Sequence, residues 1–174
     1  MDKNLTEIVV SIGDTGIPDG AFRDWDYLIN VTIPEGVTKI GFEAFAHCYK
    51  LRDIVIPNSV TEIGKYAFFG CTGFSSVTIP NSVIKIGDVA FSECDNMKNV
   101  VIGTGVEEIG PFAFAHNQSL NSVKILDIVK EIGKSAFLNC KNLTSVEIPK
   151  KLAGSDFVEQ LVKAGVKEDI IKEV

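Results

Sequence analysis

Long apolar runs and strong positive charge are the two features most clearly missing from this 174-residue chain. No apolar run approaches the roughly 18 residues that suggest a transmembrane helix. Lys and Arg number 17 against 23 Asp and Glu, so the net charge is −6, and the longest basic run is Lys150-Lys151. An acidic chain without a basic patch matches nucleic acid poorly. The sequence therefore predicts neither a membrane span nor a nucleic-acid partner.

An export signal is also missing from the first residues. The opening MDKNLTEIVV lacks the basic, apolar and small-residue regions that a secretory signal peptide combines. Hydrophobic residues make up 45% of the chain and charged residues 23%, which is typical of a folded globular protein. At this length we expect one domain with a substantial core.

A 23-residue repeat organises what is present. Phenylalanine recurs at this spacing, each time directly after alanine, with an isoleucine five residues before it and another eleven residues after it. The phenylalanines are Phe22, Phe45, Phe68, Phe91, Phe114 and Phe137. Columns aligned over six copies predict a solenoid, in which each copy buries the apolar face of the next.

Each copy divides into a strand and a turn. Leu28, Val31 and Ile33 follow the pattern Leu-x-x-Val-x-Ile, which places Val and Ile on one face of a short strand. The proline that usually follows, such as Pro34, lacks an N–H and ends the strand. A Val-x-x-Ile-Gly segment then turns a corner, with glycine available for a positive φ. The remaining x-x-Ala-Phe predicts one helical or 3-10 turn, because it is too short for a stable helix.

The two ends of the chain depart from the repeat. Residues 5–10 supply the strand half of one further copy, and the pattern stops after Leu152. We expect a solenoid over residues 1–154 and a helical cap of the same domain over residues 155–174. The first copy has no comparable cover, which leaves its edge open to pairing.

The segment DFVEQLVKAG predicts the helix of this cap. Its apolar stripe consists of Phe157, Leu161 and Ala164. Asp156 with Glu159 looks like an N-terminal capping pair, and Gly165 like a C-terminal stop.

With these columns in place, the sequence resembles the BspA-type leucine-rich repeats, also called the TpLRR class. Their pattern L-x-x-I-x-I-P-x-x-V-x-x-I-G-x-x-A-F-x-x-C-x-x matches the segment from Leu51 to Gly73 nearly residue for residue. The fifth copy departs most, with Leu126 in the place of proline and Asn117 in the place of cysteine.

The resemblance carries expectations about fold and function. It implies a right-handed α/β-type leucine-rich repeat solenoid with short parallel strands on the concave side, helical or 3-10 turns on the convex side and a C-terminal helical cap. A parallel β-helix is the alternative fold, because it also stacks short strands. The resemblance further implies a bacterial cell-surface or secreted protein that takes part in adhesion to host extracellular proteins.

All four cysteines share one column, three residues after the phenylalanine: Cys48, Cys71, Cys94 and Cys140. A stack of small buried side chains is the first interpretation. A disulfide between neighbouring copies remains open, because strands about 4.8 Å apart lie within the Cα range of that bond. A linear stack of thiols converges poorly on a metal ion.

No catalytic grouping is evident. Gly103-x-Gly105 lacks the third glycine and the following helix of a phosphate loop. His47 and His116 stand in one column three copies apart, so roughly 14 Å separates them, too far for one metal ion. We found no Ser-His-Asp grouping or carboxylate pair. We therefore expect no enzymatic activity, no catalytic residue and no metal or cofactor.

Two surfaces are candidates for binding. The outward side chains of the strands form a concave face of the kind that solenoids use to bind partners. They are Asn30, Thr32, Asp53, Val55, Ser76, Thr78, Asn99, Val101, Ser122 and Lys124. An apolar strip on the convex side is the alternative contact surface. It comprises Phe42, Tyr66, Phe69, Val89 and Phe112.

These surfaces lead to two functional predictions. The first is a module that binds a protein ligand through the concave face. The second is a structural, self-assembling repeat that forms homo-oligomers through the open first copy or the convex strip. A concave face that is only solvated remains open as well.

Overall fold

A computed structural model describes residues 3–10, 15–52, 54–126 and 129–174 of the chain. Within them, short parallel strands stack into a solenoid of about seven turns, with one α-helix near the C-terminus, which confirms the predicted fold class. The elements are β1 (Glu7–Val9), β2 (Gly16–Ile17), β3 (Asn30–Thr32), β4 (Lys39–Ile40), β5 (Glu62–Ile63), β6 (Ser76–Ile79), β7 (Lys85–Ile86), β8 (Asn99–Ile102), β9 (Glu108–Ile109), β10 (Ser122–Ile125), β11 (Glu131–Ile132), β12 (Ser145–Ile148), α1 (Ser155–Lys163) and β13 (Ile171–Glu173). Two 3-10 helices, Lys150–Leu152 and Glu168–Ile170, flank α1.

The longer strands form the concave sheet. β6, β8, β10, β12 and β13 follow one another in one sheet, and β1 pairs with β3. The pairing is parallel and the register is one copy, so that Val77 lies beside Val100. Along β6 the side chain of Val77 is buried whereas those of Ser76 and Thr78 are exposed. The Leu-x-x-Val-x-Ile pattern therefore produces the alternation that a half-buried strand requires.

A second parallel sheet, absent from the sequence-based prediction, lies along the corner segments. It consists of the two-residue strands in the order β11-β9-β7-β5-β4-β2, and its isoleucines are buried. The glycine that follows all but the first of these isoleucines was expected to provide a positive φ, and this expectation is wrong at Gly64. A Cβ on Gly64 would lie 2.7 Å from the carbonyl oxygen of Ile40 in the preceding copy. Glycine is needed there because neighbouring backbones approach closely.

The turn side differs from the helical or 3-10 turn that the sequence predicts. Each copy has a positive φ at the second residue before the phenylalanine and at the second residue after it, as at Glu43 (52°) and His47 (62°). Alternate N–H groups point to the next copy: Phe45 donates to the carbonyl of Ala67 at 2.8 Å, whereas Ala46 donates within the turn to the carbonyl of Glu43 at 3.1 Å. In a regular 3-10 helix every N–H would bond three residues back within its own segment. The chain instead uses every second N–H to join one copy to the next.

The phenylalanine column forms the centre of the core. Successive rings from Phe22 to Phe137 lie 5.0–5.5 Å apart between centroids and within 17° of parallel. The rings from Phe45 onward are fully buried. Trp25 packs edge-on against Phe22 at 5.2 Å at the N-terminal end of the column. The ring spacing follows from the strand spacing of about 4.8 Å, since each copy repeats the position of its neighbour.

The C-terminal cap continues the hydrogen bonds of all three sides of the solenoid. On the concave side β13 pairs with β12. Beside the second sheet, the N–H of Ile132 donates to Oε1 of Gln160 at 3.1 Å. On the turn side, the N–H of Phe137 donates to the carbonyl of Ala164 at 2.7 Å. The cap therefore supplies hydrogen-bond partners to the last copy on each of its three sides.

The N-terminus of α1 corrects one expectation. The helix buries the predicted stripe of Phe157, Leu161 and Ala164. Its N-cap residue is Gly154, and no side chain bonds to the cap. The predicted capping pair of Asp156 and Glu159 is therefore wrong; Glu159 pairs instead with Lys163, with 2.7 Å between Oε1 and Nζ.

The C-terminus of α1 ends in a Schellman motif. Gly165 has a φ of 100°. Its N–H donates to the carbonyl of Val162, and the N–H of Val166 donates to the carbonyl of Leu161, both at 3.0 Å. Gly165 therefore acts as the helix stop that the sequence predicts.

Candidate binding surfaces

The outward side chains of the concave sheet lie where the alternation predicts. Nine of the ten predicted residues are described, and all nine are exposed or half-buried. They are Asn30, Thr32, Val55, Ser76, Thr78, Asn99, Val101, Ser122 and Lys124. Asp53 lies outside the described residues. That these residues bind a partner stays a prediction.

Polar side chains near the C-terminal end of this face bond to the neighbouring copy. Oγ of Ser122 donates to Oδ1 of Asn99 at 2.8 Å. Nζ of Lys124 lies 3.4 Å from a carboxylate oxygen of Glu147. Exposed pairs of this kind contribute little to stability. They do leave this part of the face with its polar groups engaged with one another.

A shallow groove crosses the concave face further toward the N-terminus. Its volume is about 440 Å³, and its lining includes Val55, Thr78 and Val101, which succeed one another in neighbouring copies. Val55 is 80% exposed. The amide side chains of Asn58 and Asn81 also contribute to the lining. Apolar side chains bordered by polar groups are the composition expected of a protein interface.

A second cavity, of about 450 Å³, lies at the N-terminal ends of the concave strands; we name it the basic pocket. Its lining consists of Ile29, Lys50, Arg52, Gly73, Ser75 and Asn96. The sequence analysis did not predict this pocket, because its residues meet only when the copies stack. The aligned copies do contain a pattern that predicts it: Lys50 and Arg52 stand one copy before Gly73 and Ser75, whose small side chains leave space beside the two cations.

The convex strip contains exposed phenylalanines and a cluster of aromatic side chains in mutual contact. Phe42 is 42% exposed and Phe112 is 39% exposed. Tyr66 packs edge-on against Phe42 at 6.1 Å and against Phe69 at 5.6 Å. Val89 stands one copy after Tyr66 in the same column and is half-buried. The structure therefore brings the first three aromatic residues of the strip together.

Backbone strain accompanies this strip. Tyr66, Val89 and Phe112 have φ values of 58°, 59° and 56°. Bulky and β-branched residues rarely adopt this left-handed region. Serine occupies the same position in the sixth copy, at Ser135, with a φ of 61°. The positive φ therefore occurs at this position in every copy and does not depend on whether the side chain is apolar.

The outer face of the second sheet carries charges that alternate in sign. Nζ of Lys39 lies 3.1 Å from Glu62, and Nζ of Lys85 lies 2.8 Å from Glu108. The hydrogen bond that Lys85 donates to Glu108 is the largest cause of the raised pKa of Lys85. These pairs satisfy one another on an exposed surface, so this face is a weaker candidate for binding.

Three of the four cysteines in the column are buried, Cys140 is half-buried, and all four thiols are free. Sγ of Cys71 donates to the carbonyl of Phe45 at 3.1 Å, and Sγ of Cys48 to that of Phe22 at 3.0 Å. Burial raises the pKa of Cys48 to about 12 and that of Cys140 to about 11. The thiols are therefore protonated at neutral pH, whereas nucleophiles and metal ligands are thiolates. The first interpretation of this column, a stack of small buried side chains, describes the structure.

Metal ligation and membrane insertion find no support in the part of the chain that the structure describes. No group of three or more His, Cys, Asp or Glu side chains there could hold a metal ion. None of the helices there is long and apolar enough to cross a membrane. His47 packs edge-on against Phe69 at 5.1 Å, as part of the convex surface.

Sequence comparison gives one family. The model of the BspA type leucine rich repeat region matches residues 1–76 and 38–156, with six copies. No curated protein matches the chain.

Solved structures extend the comparison. The leucine rich repeat protein TpLRR of T. pallidum has a TM-score of 0.73 and 26% identity, over 95% of this chain and 86% of that one. A leucine-rich repeat protein of Bacteroides ovatus has a TM-score of 0.54 and 27% identity, over 84% of this chain and 50% of that one. A leucine rich cell surface protein of Faecalibacterium prausnitzii has a TM-score of 0.59 over 97% of this chain and 59% of that one; its 22% identity shows the fold alone. The chain therefore spans between 50% and 59% of the length of the last two proteins.

Proposed function

Because this chain belongs to the BspA-type leucine-rich repeat family, we propose that it is a protein-binding repeat module that acts through its concave sheet. Leucine-rich repeat proteins are generally non-enzymatic, and the family suggests protein interaction. Stacked strands give such modules a rigid, extended face on which a partner can lie.

The groove on the concave face is the observation that carries this proposal. Val55, Thr78 and Val101 expose a continuous row of β-branched side chains across three copies. Burying such side chains against a partner contributes about 25 cal/mol per Å² of apolar area. The neighbouring amides of Asn58 and Asn81 can satisfy the polar groups of a bound backbone. The groove therefore combines an apolar contact with hydrogen-bonding groups beside it.

We place the module at a bacterial cell surface or in the secreted fraction, with a host extracellular protein as its ligand in adhesion. The support is the resemblance to BspA-type proteins, which are largely surface or secreted proteins. The similar protein of Faecalibacterium prausnitzii is itself described as a cell surface protein.

A matched pair of threonine variants tests the proposal. The chain is presented in solution to a panel of purified extracellular-matrix proteins immobilised on biosensor tips. Thr78→Arg fills the groove with a bulky cation and should weaken any binding by at least about tenfold, equivalent to 1.4 kcal/mol. Thr61→Arg makes the same change at an exposed position beside the second sheet and should leave binding unchanged. Equal loss in both variants, or loss in Thr61→Arg alone, would contradict the concave-face proposal.

Self-association through the convex strip is the second candidate function. The exposure of Phe42 and Phe112, at the two ends of this strip, favours it, because exposed large apolar side chains often mark a contact surface. Light scattering coupled to size exclusion should then show a mass that rises with protein concentration. A Phe112→Ser variant should remain monomeric. A wild-type chain that is monomeric throughout would eliminate this candidate.

A further inference from the structure

The basic pocket gathers positive charge on a chain whose net charge is −6. Lys50 and Arg52 line it, and its remaining described lining is uncharged. Among the described residues, neither cation takes part in an ion pair, in contrast to the paired lysines of the second sheet. The pocket therefore holds a local positive field that the rest of the chain does not neutralise by direct contact.

Stacking gives the pocket its shape. Gly73 occupies the position that Lys50 has in the preceding copy. A Cβ on Gly73 would lie 2.5 Å from the carbonyl oxygen of Leu51, so no side chain fits there. Asn96 closes the next copy, where its Nδ2 donates to the carbonyl of Thr72 at 2.7 Å. A space open to solvent is thus kept beside Arg52 by backbone contact.

The side chains around this space are of the kinds that dominate binding energy at protein interfaces. Arg and Tyr are enriched among such residues. Nζ of Lys50 lies 4.5 Å from the ring centroid of Tyr27, which positions the ammonium group by a cation–π contact. The guanidinium of Arg52 presents planar, paired donors that match a carboxylate in two-point geometry.

The groove described above starts from the same strand segment. The groove begins close to the pocket, because Ser75 of the pocket directly precedes Ser76 of the groove. Ile54 and Ile56 of the groove lie about 7 and 13 Å beyond Arg52 along the strand, since an extended chain rises about 3.3 Å per residue. An extended polypeptide with an acidic residue in the pocket can therefore place an aliphatic side chain in the groove at the fourth residue after it, about 13 Å away.

We propose that the basic pocket is the anchoring subsite of the concave surface and binds a carboxylate side chain of an extended, acidic segment of a protein partner. This inference rests on the proposed function, because it names the partner chemistry of the same surface. A polypeptide is favoured over an anionic glycan because the adjoining groove is lined by Val55, Thr78 and Val101, which suit an aliphatic side chain.

Amide chemical shifts of the ¹⁵N-labelled full chain provide the test. The probe is the acetylated and amidated peptide Asp-Ser-Thr-Ser-Val, which carries the acidic and aliphatic groups four residues apart. The control is the same peptide with Asn in place of Asp. At millimolar concentration the Asp peptide should shift the amides of Arg52, Ser75 and Asn96, and the Asn peptide should bind at least about tenfold more weakly.

Two matched variants locate the site. Arg52→Gln should weaken binding of the Asp peptide by about tenfold or more, because a charge-assisted hydrogen bond is lost. Lys85→Gln removes a cation that is paired with Glu108 on the outer face of the second sheet, away from the concave face, and should leave the affinity unchanged. Equal effects of the two substitutions would overturn the proposal, since they would indicate a general charge effect.

The remaining outcomes are also decisive. Binding of a heparin-derived disaccharide at Arg52 without binding of the Asp peptide would overturn the assignment to a protein segment. Absence of shifts around the pocket, or shifts elsewhere only, would overturn the site. If Thr78→Arg abolishes binding of a matrix protein while Arg52→Gln does not, the concave-face function stands and the basic pocket fails.

Discussion

Asn117 shows how one residue can replace another of different chemistry in a repeated column. It is fully buried in the place of cysteine. Its Nδ2 donates to the carbonyl of Phe91 at 2.9 Å, the bond that Cys71 makes to Phe45 through sulfur. Its Oδ1 also accepts the N–H of Cys94 at 2.7 Å. The column therefore selects a small side chain that can donate to a buried carbonyl, because an unpaired carbonyl there would be destabilising.

The thiols make stability depend on alkaline pH. An unfolded cysteine ionises near pH 8.5, whereas burial raises the pKa of Cys71 well above its ordinary value. Between these two values only the unfolded chain loses its proton, so the free energy of unfolding falls as pH rises above about 8.5, by up to about 1.4 kcal/mol per pH unit for each thiol.

Cys71→Ser isolates the contribution of one thiol to this pH dependence, because serine can donate a similar hydrogen bond but does not titrate in this range. We expect urea unfolding to show the stability difference between wild type and Cys71→Ser shrinking between pH 9 and 11, by about 1.4 kcal/mol per pH unit at most. Parallel pH profiles for the two proteins would contradict a buried, protonated thiol.

The phenylalanine column sets the largest single-residue contribution to stability. Phe91 is fully buried, with ring centroids 5.0 Å from Phe68 and 5.4 Å from Phe114. Phe91→Ala should lower the free energy of unfolding by about 3–5 kcal/mol, because it leaves a cavity in a stacked core. Ser76→Ala, on the exposed face, should change it by less than about 0.5 kcal/mol. Similar denaturation midpoints for the two variants would argue against the stacked core.

At the scale of the element, the turn between the two sheets is the least regular part of each copy. Positive φ at Val89 is strained for a β-branched residue, yet the position recurs in every copy. The reason is the hydrogen bond that follows from it: the N–H of Val89 donates to the carbonyl of Pro111 in the next copy at 2.9 Å. The gain from joining two copies offsets local strain, as expected when the surrounding structure determines a backbone conformation.

The elements differ in how far the sequence predicts them. The concave strands and the phenylalanine column follow from alternation and spacing, which survive in nearly every copy. The second sheet escapes prediction because two-residue strands carry no alternation. The turn geometry escapes because Tyr66 and Val89 have side chains that disfavour positive φ. The basic pocket escapes because Lys50, Arg52 and Asn96 come together only across copies.

The cap helix depends on its final glycine. Gly165 has a φ of 100°, and a Cβ there would lie 3.1 Å from Cα of Leu138. Gly165→Ala should therefore lower the free energy of unfolding by about 1–2 kcal/mol, the cost of a left-handed conformation in an L-residue. Gly154→Ala, at the N-cap of the helix, meets open space at a φ of −62° and should cost less, about 0.5 kcal/mol, since alanine is only a poorer N-cap than glycine. Equal melting temperatures would contradict the helix stop.

At the scale of the whole molecule, stability is distributed along the stack. Each interior copy bonds to its neighbours through the second sheet and the turns, and the strands of the concave side add further bonds within β1-β3 and from β6 to β13. Solenoids of this kind behave as a sum of copies and the interfaces between them. The geometry at any interior position is therefore nearly independent of how many copies the chain contains.

Removal of one whole copy tests this independence. Deleting residues 108–130 joins Glu107 to Glu131 and brings Phe137 next to Phe91 in the core column. We expect a folded protein with unchanged strand content by circular dichroism and a lower melting temperature, because one interface between copies is lost. Deleting residues 108–119, about half a copy, should unfold the segment that follows. If both deletions fold equally well, the copies do not stack in fixed register.

The hydrogen bonds between copies give the turn side an electrical direction. Every second N–H of a turn points toward the next copy, so the dipoles of these peptides, about 3.5 D apiece, add along this side of the stack as they do in a helix. The carbonyl-bearing negative end lies at the first copy, where the ammonium of Lys3 bonds to the carbonyl of Arg23 at 3.2 Å. The positive end meets the C-terminal carbonyls of α1, among them Ala164. A cation and the negative end of a helix dipole thus neutralise the two poles of the stack.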